Sequence, residues 1–132
     1  MILFVDDEKR EMDSYVQELE LSGYKVVFKK DADVALEFFE KSLNEIDLVI
    51  LDIMMSPGSS FKQMDTQMGL RTGIAFYKKI REKASELPVL IFTNVSDEKV
   101  SETFLKETKC QFLRKENYLP FEVVDEVKKI LG

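Results

Sequence analysis

The chain of 132 residues contains no histidine and a single cysteine, Cys110. One cysteine cannot form an intramolecular disulfide, and without histidine no zinc site can be built around it. We therefore interpret Cys110 as a small buried side chain near a strand. A glycine-rich phosphate loop ending in Lys-Ser or Lys-Thr is also missing from the sequence, which argues against a nucleotide hydrolase.

Positive charge is scarce as well, because 19 lysines and arginines stand against 25 acids and give a formal net charge of −6. Such a chain is attracted only weakly to phosphate backbones or anionic lipid, so nucleic acid and membranes are poor candidates for partners. The sequence opens on a short apolar run, without a basic leader, a long apolar stretch or a small-residue cleavage site. We expect a soluble cytoplasmic protein.

Strand-like and helix-like segments alternate along the chain. Short apolar runs typical of buried strands lie at 2–5, 25–29, 48–51, 89–92 and 111–115. Each is followed by apolar residues at helical spacing, such as Met12, Val16 and Leu19 after the first run. This pattern predicts one α/β domain over residues 1–132, a doubly wound five-stranded parallel sheet with right-handed crossovers.

The stretch from about 56 to 72 is too long for an ordinary connection between the third strand and the third helix. It is rich in polar and turn-forming residues, yet it also contains Phe61, Met64, Met68 and Leu70. A purely disordered linker is usually less apolar. We interpret the stretch as an insertion, and two alternatives stay open for it: an ordered functional lid or a mobile surface segment.

Residues that a metal-assisted phosphoryl transfer could use follow four of the apolar runs. They are Asp6 and Asp7, Asp52, Thr93, and Lys115. Because the carboxyl ends of parallel strands open onto one crevice, we expect these side chains to meet there. Two or three carboxylates with a backbone carbonyl suit a hard divalent cation such as Mg²⁺. Consecutive residues diverge in direction, so only one of Asp6 and Asp7 should ligate directly.

Each of these residues also has an ordinary structural interpretation. Asp6 and Asp7 could favour the start of the first helix together with Glu8. A threonine is common in strands, and a lysine at a strand end is usually solvated. Asp52 is harder to explain in this way, because strand propensity disfavours an aspartate after so apolar a run. Held against a cation, its carboxylate could attack phosphorus and become an acyl phosphate.

The segments ILFVDDE, DLVILDIMM, PVLIFTN and FLRK, in this order and spacing, resemble the receiver domain of bacterial two-component response regulators. The resemblance covers essentially the whole chain and implies a flavodoxin-like fold with strand order 2-1-3-4-5. It implies that Asp52 accepts a phosphoryl group from a partner histidine kinase or phosphotransfer protein. It also implies an Mg²⁺ or Mn²⁺ site formed by Asp6, Asp7, Asp52 and the backbone carbonyl of Met54.

The same resemblance makes Thr93 the switch hydroxyl, Lys115 the phosphate-contacting lysine and Phe112 the switch aromatic residue. Phosphorylation would draw Thr93 towards Asp52 and let Phe112 swing inward, which would change a surface for a downstream protein target or a fused output domain. The chain would be a monomer or a phosphorylation-dependent homodimer. It would accept and hydrolyse a phosphoryl group without being a turnover enzyme.

Several positions depart from the family's pattern. Glu116 stands where the family usually has a proline after the lysine. Asn94 stands where a small residue usually leaves room for phosphoryl donors. Gly73, the glycine that best matches the one the family has soon after the acceptor, lies about a dozen residues later than usual. These departures favour an alternative function, a phosphorylation-independent interaction module that keeps the receiver fold. A metal-dependent phosphatase is a weaker alternative, because Met54 stands where such enzymes often place a second aspartate after the first.

Overall fold

A computed structural model describes residues 1–56, 71–95 and 97–132 of the chain. Five parallel strands form one sheet, as the sequence predicts, and they lie in the order 2-1-3-4-5 that the family resemblance implies. The strands are β1 (Ile2–Val5), β2 (Val26–Lys29), β3 (Leu48–Leu51), β4 (Val89–Thr93) and β5 (Cys110–Arg114). The helices are α1 (Lys9–Leu21), α2 (Ala32–Lys41), α3 (Thr72–Lys83), α4 (Glu98–Leu105) and α5 (Pro120–Leu131). Short 3-10 turns lie at Leu43–Glu45 and Lys115–Asn117.

Helices cover both faces of the sheet, which explains why the central strands are continuous apolar runs. Side chains alternate along each strand, so every second residue reaches a different core. Leu3 and Val5 face a core built with α2, α3 and α4, whereas Ile2 and Phe4 face a core built with α1 and α5. No described helix has the length and apolar character needed to cross a membrane.

Local signals in the sequence set where several helices begin and end. The Asp31 carboxylate accepts hydrogen bonds from the amides of Asp33 and Val34 and caps α2. Asp97 caps α4 in the same way, by accepting from the amide of Lys99. Gly23 follows α1 with a φ of 97°, a conformation that favours glycine. These two aspartates therefore mark the starts of α2 and α4.

Strand β5 differs slightly from its predicted range of 111–115. It begins at Cys110 and ends at Arg114, and Lys115 is the first residue of a 3-10 turn. The shift follows from the register of the sheet, since Val89 pairs with Cys110 and Thr93 with Arg114. Cys110 is half-buried rather than fully buried because β5 is an edge strand.

Most of the predicted insertion at 56–72 lies outside the described residues, and the two alternatives for it, an ordered lid or a mobile surface segment, lie there as well. Its two flanks are in contact, because the Thr72 hydroxyl donates to the carbonyl of Met55 and the Gly73 amide donates to the carbonyl of Ile53 at 2.8 Å. A Cβ atom on Gly73 would lie 2.2 Å from the Asp52 carbonyl oxygen. Helix α3 therefore begins directly against the backbone that follows β3, and only glycine fits there.

Candidate functional site

Acidic side chains from two strands meet at the carboxyl end of the sheet. Val5 pairs with Leu51 in the sheet, so the residues that follow them, Asp6 and Asp52, lie side by side. The Asp52 amide donates to the Val5 carbonyl at 3.0 Å and continues the ladder. Carboxylate oxygens of Asp6, Asp7, Glu8 and Asp52 all lie within 4.8 Å of one another. The structure thus brings together the three acids that the sequence singles out.

Asp6 and Asp7 point in different directions, as consecutive residues at a strand end should. Asp6 has no exposed surface, whereas Asp7 is exposed. One oxygen of Asp6, Oδ1, accepts a hydrogen bond from the Glu8 amide at 2.8 Å. The buried member of the pair is therefore held by the backbone at the start of α1, and the exposed member is open to solvent.

Lys115 lies among these carboxylates. Its Nζ is 2.7 Å from Asp6 Oδ2, 3.3 Å from Asp52 Oδ2 and 3.9 Å from Glu8 Oε1. Only 6% of its side chain is exposed. The interpretation of Lys115 as a solvated strand-end charge is therefore wrong, because the 3-10 turn after β5 directs the side chain inward over the acids.

Burial and crowding of charge shift the pKa values of these groups. Burial, and then the charge of Asp52, raise the pKa of Asp6 from 3.8 to about 6, although Lys115 partly opposes the shift. Burial also raises the pKa of Asp52, against the lowering effects of Lys115 and of a hydrogen bond with Thr93. For Lys115, burial lowers the pKa, but Asp52 and Asp6 outweigh burial and the net shift is upward.

Thr93 and Met54 complete the surroundings of Asp52. Thr93 ends β4, has no exposed surface, and its hydroxyl lies close enough to the Asp52 carboxylate to lower the pKa of Asp52. The same hydroxyl oxygen accepts from the Val95 amide at 3.4 Å. The Met54 amide donates to Asp52 Oδ1 at 3.4 Å. Met54 thus borders the Asp52 carboxylate, and the role of its carbonyl as a metal ligand stays a prediction.

Phe112 lies on the same face of the sheet as Thr93. It pairs with Ile91, two residues before Thr93 along β4. The half-buried Phe112 ring stacks on Phe104 of α4 with 6.2 Å between ring centroids. Phe104 in turn meets Tyr77 of α3 edge-on at 5.1 Å. The aromatic residue that the family resemblance singles out therefore contacts α4 directly.

Glu8 is a member of the cluster that sequence reasoning missed, because it was interpreted only as a favourable charge at the start of α1. Its side chain makes no capping hydrogen bond. Instead Glu8 Oε1 lies within 3.9 Å of the Lys115 ammonium, and 48% of the side chain is exposed. The sequence does carry a signal for Glu8, which is the run of three consecutive acids after an apolar strand. The third acid of such a run also lies next to the crevice.

The cluster has the composition of a site for a hard divalent cation. Apart from the ion pair with Lys115, the buried Oδ2 atom of Asp6 accepts no hydrogen bond within the described residues. Asp6 shares this single ammonium with Asp52, so the negative charge of the cluster is only partly compensated. Oxygen ligands at the edge of a partly open cluster suit Mg²⁺, which usually keeps several waters. The residues present therefore fit a cation of this kind.

Comparisons with known proteins find similar chains. The transcriptional regulatory protein PhoP for alkaline phosphatase synthesis, from Bacillus subtilis, is 30% identical over 130 residues. That match covers 98% of this chain and 48% of PhoP, so the chain spans about half the length of this curated relative. No protein-family model matches the chain.

Solved structures match over nearly the whole chain. The receiver domain from the hybrid histidine kinase CckA is 27% identical with a TM-score of 0.73, and the match covers 99% of this chain and 98% of that one. A CheY-like response regulator receiver domain protein from Methanospirillum hungatei is 22% identical with a TM-score of 0.74, over 97% and 90% of the two chains. The architecture is thus the flavodoxin-like receiver fold.

Within that fold class, the chain is similar over nearly its whole length to receiver domains of response regulators, which supports its assignment to them. This assignment confirms the family resemblance that the four sequence segments indicate.

Proposed function

We propose that the chain is a phosphoacceptor switch of a two-component or phosphorelay system, with Asp52 as the acceptor. One observation carries this proposal: the buried Asp52 carboxylate lies 3.3 Å from the Lys115 ammonium and beside the Thr93 hydroxyl, within a cluster of further acids. A relative named as a transcriptional regulator, and a receiver domain from a hybrid histidine kinase, support a role in such a system. We place this role in the cytoplasm.

The divalent cation belongs to this proposal. Asp6, Asp7, Asp52 and the backbone carbonyl of Met54 would hold Mg²⁺ or Mn²⁺. When bound, such a cation offsets the negative charge that gathers between a carboxylate nucleophile and a phosphoryl group.

The chain's own residues supply the remaining chemistry. A carboxylate oxygen of Asp52 attacks the phosphorus atom, and the bond from phosphorus to the partner histidine kinase or phosphotransfer protein breaks. The Lys115 ammonium, 3.3 Å from Asp52 Oδ2, neutralises charge on the phosphoryl oxygens. Hydrolysis of the acyl phosphate returns Asp52 to its starting state, so the domain acts as a phosphate carrier rather than a turnover enzyme.

The switch follows from what Thr93 and Phe112 contact. Phosphorylation adds charge and acceptor oxygens beside the Thr93 hydroxyl, which can then donate to a phosphoryl oxygen. A charge-assisted hydrogen bond contributes roughly 1.5 to 3 kcal/mol, whereas inverting a 1:99 population takes about 5.5 kcal/mol. Thr93 alone is therefore insufficient, and Lys115 and a downstream partner must contribute. Movement of Phe112 would reach α4 through the contact with Phe104.

Phosphorylation by a small donor tests the proposal. Incubation with acetyl phosphate and Mg²⁺, followed by intact-mass measurement, should show one added phosphoryl group on the native chain and none on Asp52→Asn. Asp125→Asn is the matched control, because Asp125 is exposed on α5, away from the crevice. Labelling of Asp52→Asn at the native level would contradict the proposal. An unlabelled native chain would favour the phosphorylation-independent interaction module.

A further inference from the structure

The Lys115 ammonium lies 2.7 Å from the Asp6 carboxylate and 3.3 Å from the Asp52 carboxylate. These two distances require that the backbone of Lys115 is held in place. Lys115 belongs to a 3-10 turn, Lys115–Asn117, whose next residue is the exposed Glu116. Glu116 forms an ion pair with Arg114 at the surface. Exposed pairs of this kind contribute little. The turn therefore needs another anchor.

Tyr15 of α1 provides a contact of the required kind. Its hydroxyl donates to the carbonyl of Tyr118 at 2.7 Å, across 103 residues of sequence. Tyr118 closes the turn, because its amide donates to the carbonyl of Lys115 at 3.4 Å. A single hydrogen bond thus joins α1 to the residue that bonds back to Lys115.

The Tyr15 ring is itself fixed by the core. It meets Phe92 edge-on with 5.1 Å between centroids, and Phe92 is fully buried in β4 immediately before Thr93. A tyrosine that packs at one end and donates at the other has little freedom to move. Burial raises the pKa of Tyr15, while the nearby Lys115 ammonium lowers it. The hydroxyl therefore stays protonated and remains a donor at neutral pH.

We infer that Tyr15 is a positioning residue for Lys115: through the Tyr118 carbonyl, its hydroxyl fixes the turn that sets the lysine ammonium between Asp6 and Asp52. This inference deepens the proposed function and rests on it. Among the described residues, the Tyr15 hydroxyl bonds the Tyr118 carbonyl rather than Asp52, so Tyr15 would act on the reaction only through Lys115.

Tyr15→Phe removes the hydroxyl and keeps the ring that packs on Phe92. Tyr24→Phe is the matched control, because Tyr24 is also half-buried but precedes β2 at the opposite end of the sheet. We expect Tyr15→Phe to slow phosphorylation by acetyl phosphate with Mg²⁺ by about 3- to 10-fold, the effect of losing one hydrogen bond. Tyr24→Phe should leave the rate unchanged.

A second readout separates positioning from a general loss of structure. In chains with ¹³C-labelled lysine, the signal of the Lys115 methylene next to Nζ can be assigned by its disappearance in Lys115→Met. That signal should shift in Tyr15→Phe and stay in place in Tyr24→Phe, without phosphodonor or Mg²⁺. A Lys115 signal that does not move, or a shift without a slower reaction, would overturn the inference.

The two proposals fail in distinguishable ways. A native chain that takes up no phosphoryl group contradicts the proposed function, whereas the Lys115 signal still decides whether Tyr15 positions the lysine. A native chain that is phosphorylated, with Tyr15→Phe reacting at the native rate, contradicts only the role of Tyr15.

Discussion

At the carboxyl end of the sheet, Asp6, Asp52 and Lys115 are buried together, whereas at the amino end Arg81 lies half-buried among backbone carbonyls. Arg81 donates to the Tyr77 hydroxyl and to the carbonyls of Ala84, Leu87, Thr108 and Lys109 at 2.7 to 3.2 Å. Its guanidinium also lies 4.8 Å from the centre of the Tyr77 ring. All of these partners belong to α3 or to segments that enter β4 and β5.

The amino end of the sheet therefore stabilises the fold, whereas the carboxyl end lowers its stability. Arg81 has neutral hydrogen-bond acceptors at a partly exposed position, so its charge is satisfied at little cost. Asp6 and Asp52 instead share one ammonium, while burial raises the pKa of both and the charge of Asp52 further raises the pKa of Asp6. Buried like charges are costly unless a ligand compensates them, and such groups cluster at functional sites.

Loss of the shared ammonium should have the largest effect. Lys115→Met leaves two buried carboxylates without a cationic partner, and we expect the free energy of unfolding to fall by about 3 kcal/mol or more in EDTA. Mg²⁺ should restore part of this loss, because the proposed cation site exists only in the folded chain. Urea denaturation with and without Mg²⁺ measures both effects. Lys128→Met, at an exposed position of α5, is the control, and equal stabilities of the two variants would refute the expected cost.

The pH dependence of stability should come next in size. Folding raises the pKa of Asp6 from 3.8 to about 6, so between these values the folded chain retains a proton that the unfolded chain has lost. Stability of the metal-free chain should therefore decrease as pH rises from about 4 to 6, by roughly 3 kcal/mol from this group. Asp52, whose pKa is also raised, adds in the same direction.

Denaturation curves between pH 4 and pH 7 in EDTA check this expectation. Asp6→Asn should flatten the dependence of the unfolding free energy on pH. Asp13→Asn, at an exposed position of α1, should leave that dependence unchanged. If Asp6→Asn shows the native slope, the raised pKa of Asp6 is not the cause.

Disruption of the amino end should have the smallest effect. Arg81→Met removes several hydrogen bonds to carbonyls that water can reach, and we expect a loss of about 1 to 2 kcal/mol in unfolding free energy. The rate of phosphorylation by acetyl phosphate should be unchanged, as in the control Arg10→Met on the exposed face of α1. A clear fall in the phosphorylation rate of the folded Arg81→Met chain would contradict the independence of the two ends of the sheet.

Much of the fold and the position of the candidate site were open to prediction because their signals are local. Apolar runs and helical spacing identify the strands and helices, and aspartates such as Asp31 mark helix starts within a few residues. Once strands are parallel, the acids that follow β1 and β3 must share one edge. Asp6 and Asp52 could therefore be placed together without coordinates.

The details that depend on distant contacts were not predictable in this way. Nothing near Lys115 in the sequence indicates that its ammonium lies closest to Asp6, or that a tyrosine 103 residues away from Tyr118 holds its turn. The insertion separates Gly73 from Asp52 in the sequence, so the direct contact of Gly73 with the Asp52 backbone could not be predicted. These contacts arise from register and packing between elements, which local propensity does not encode.

The most direct test of the central claim, that the acids share one cation around a phosphoacceptor, is a crystal structure with Mg²⁺ and beryllium fluoride. We expect Mg²⁺ bound by Asp6 and Asp52, with the fluoride mimic attached to Asp52 and contacted by Lys115 and Thr93. A structure in which Asp52 carries no beryllium and Mg²⁺ lies outside the acidic cluster would contradict this account.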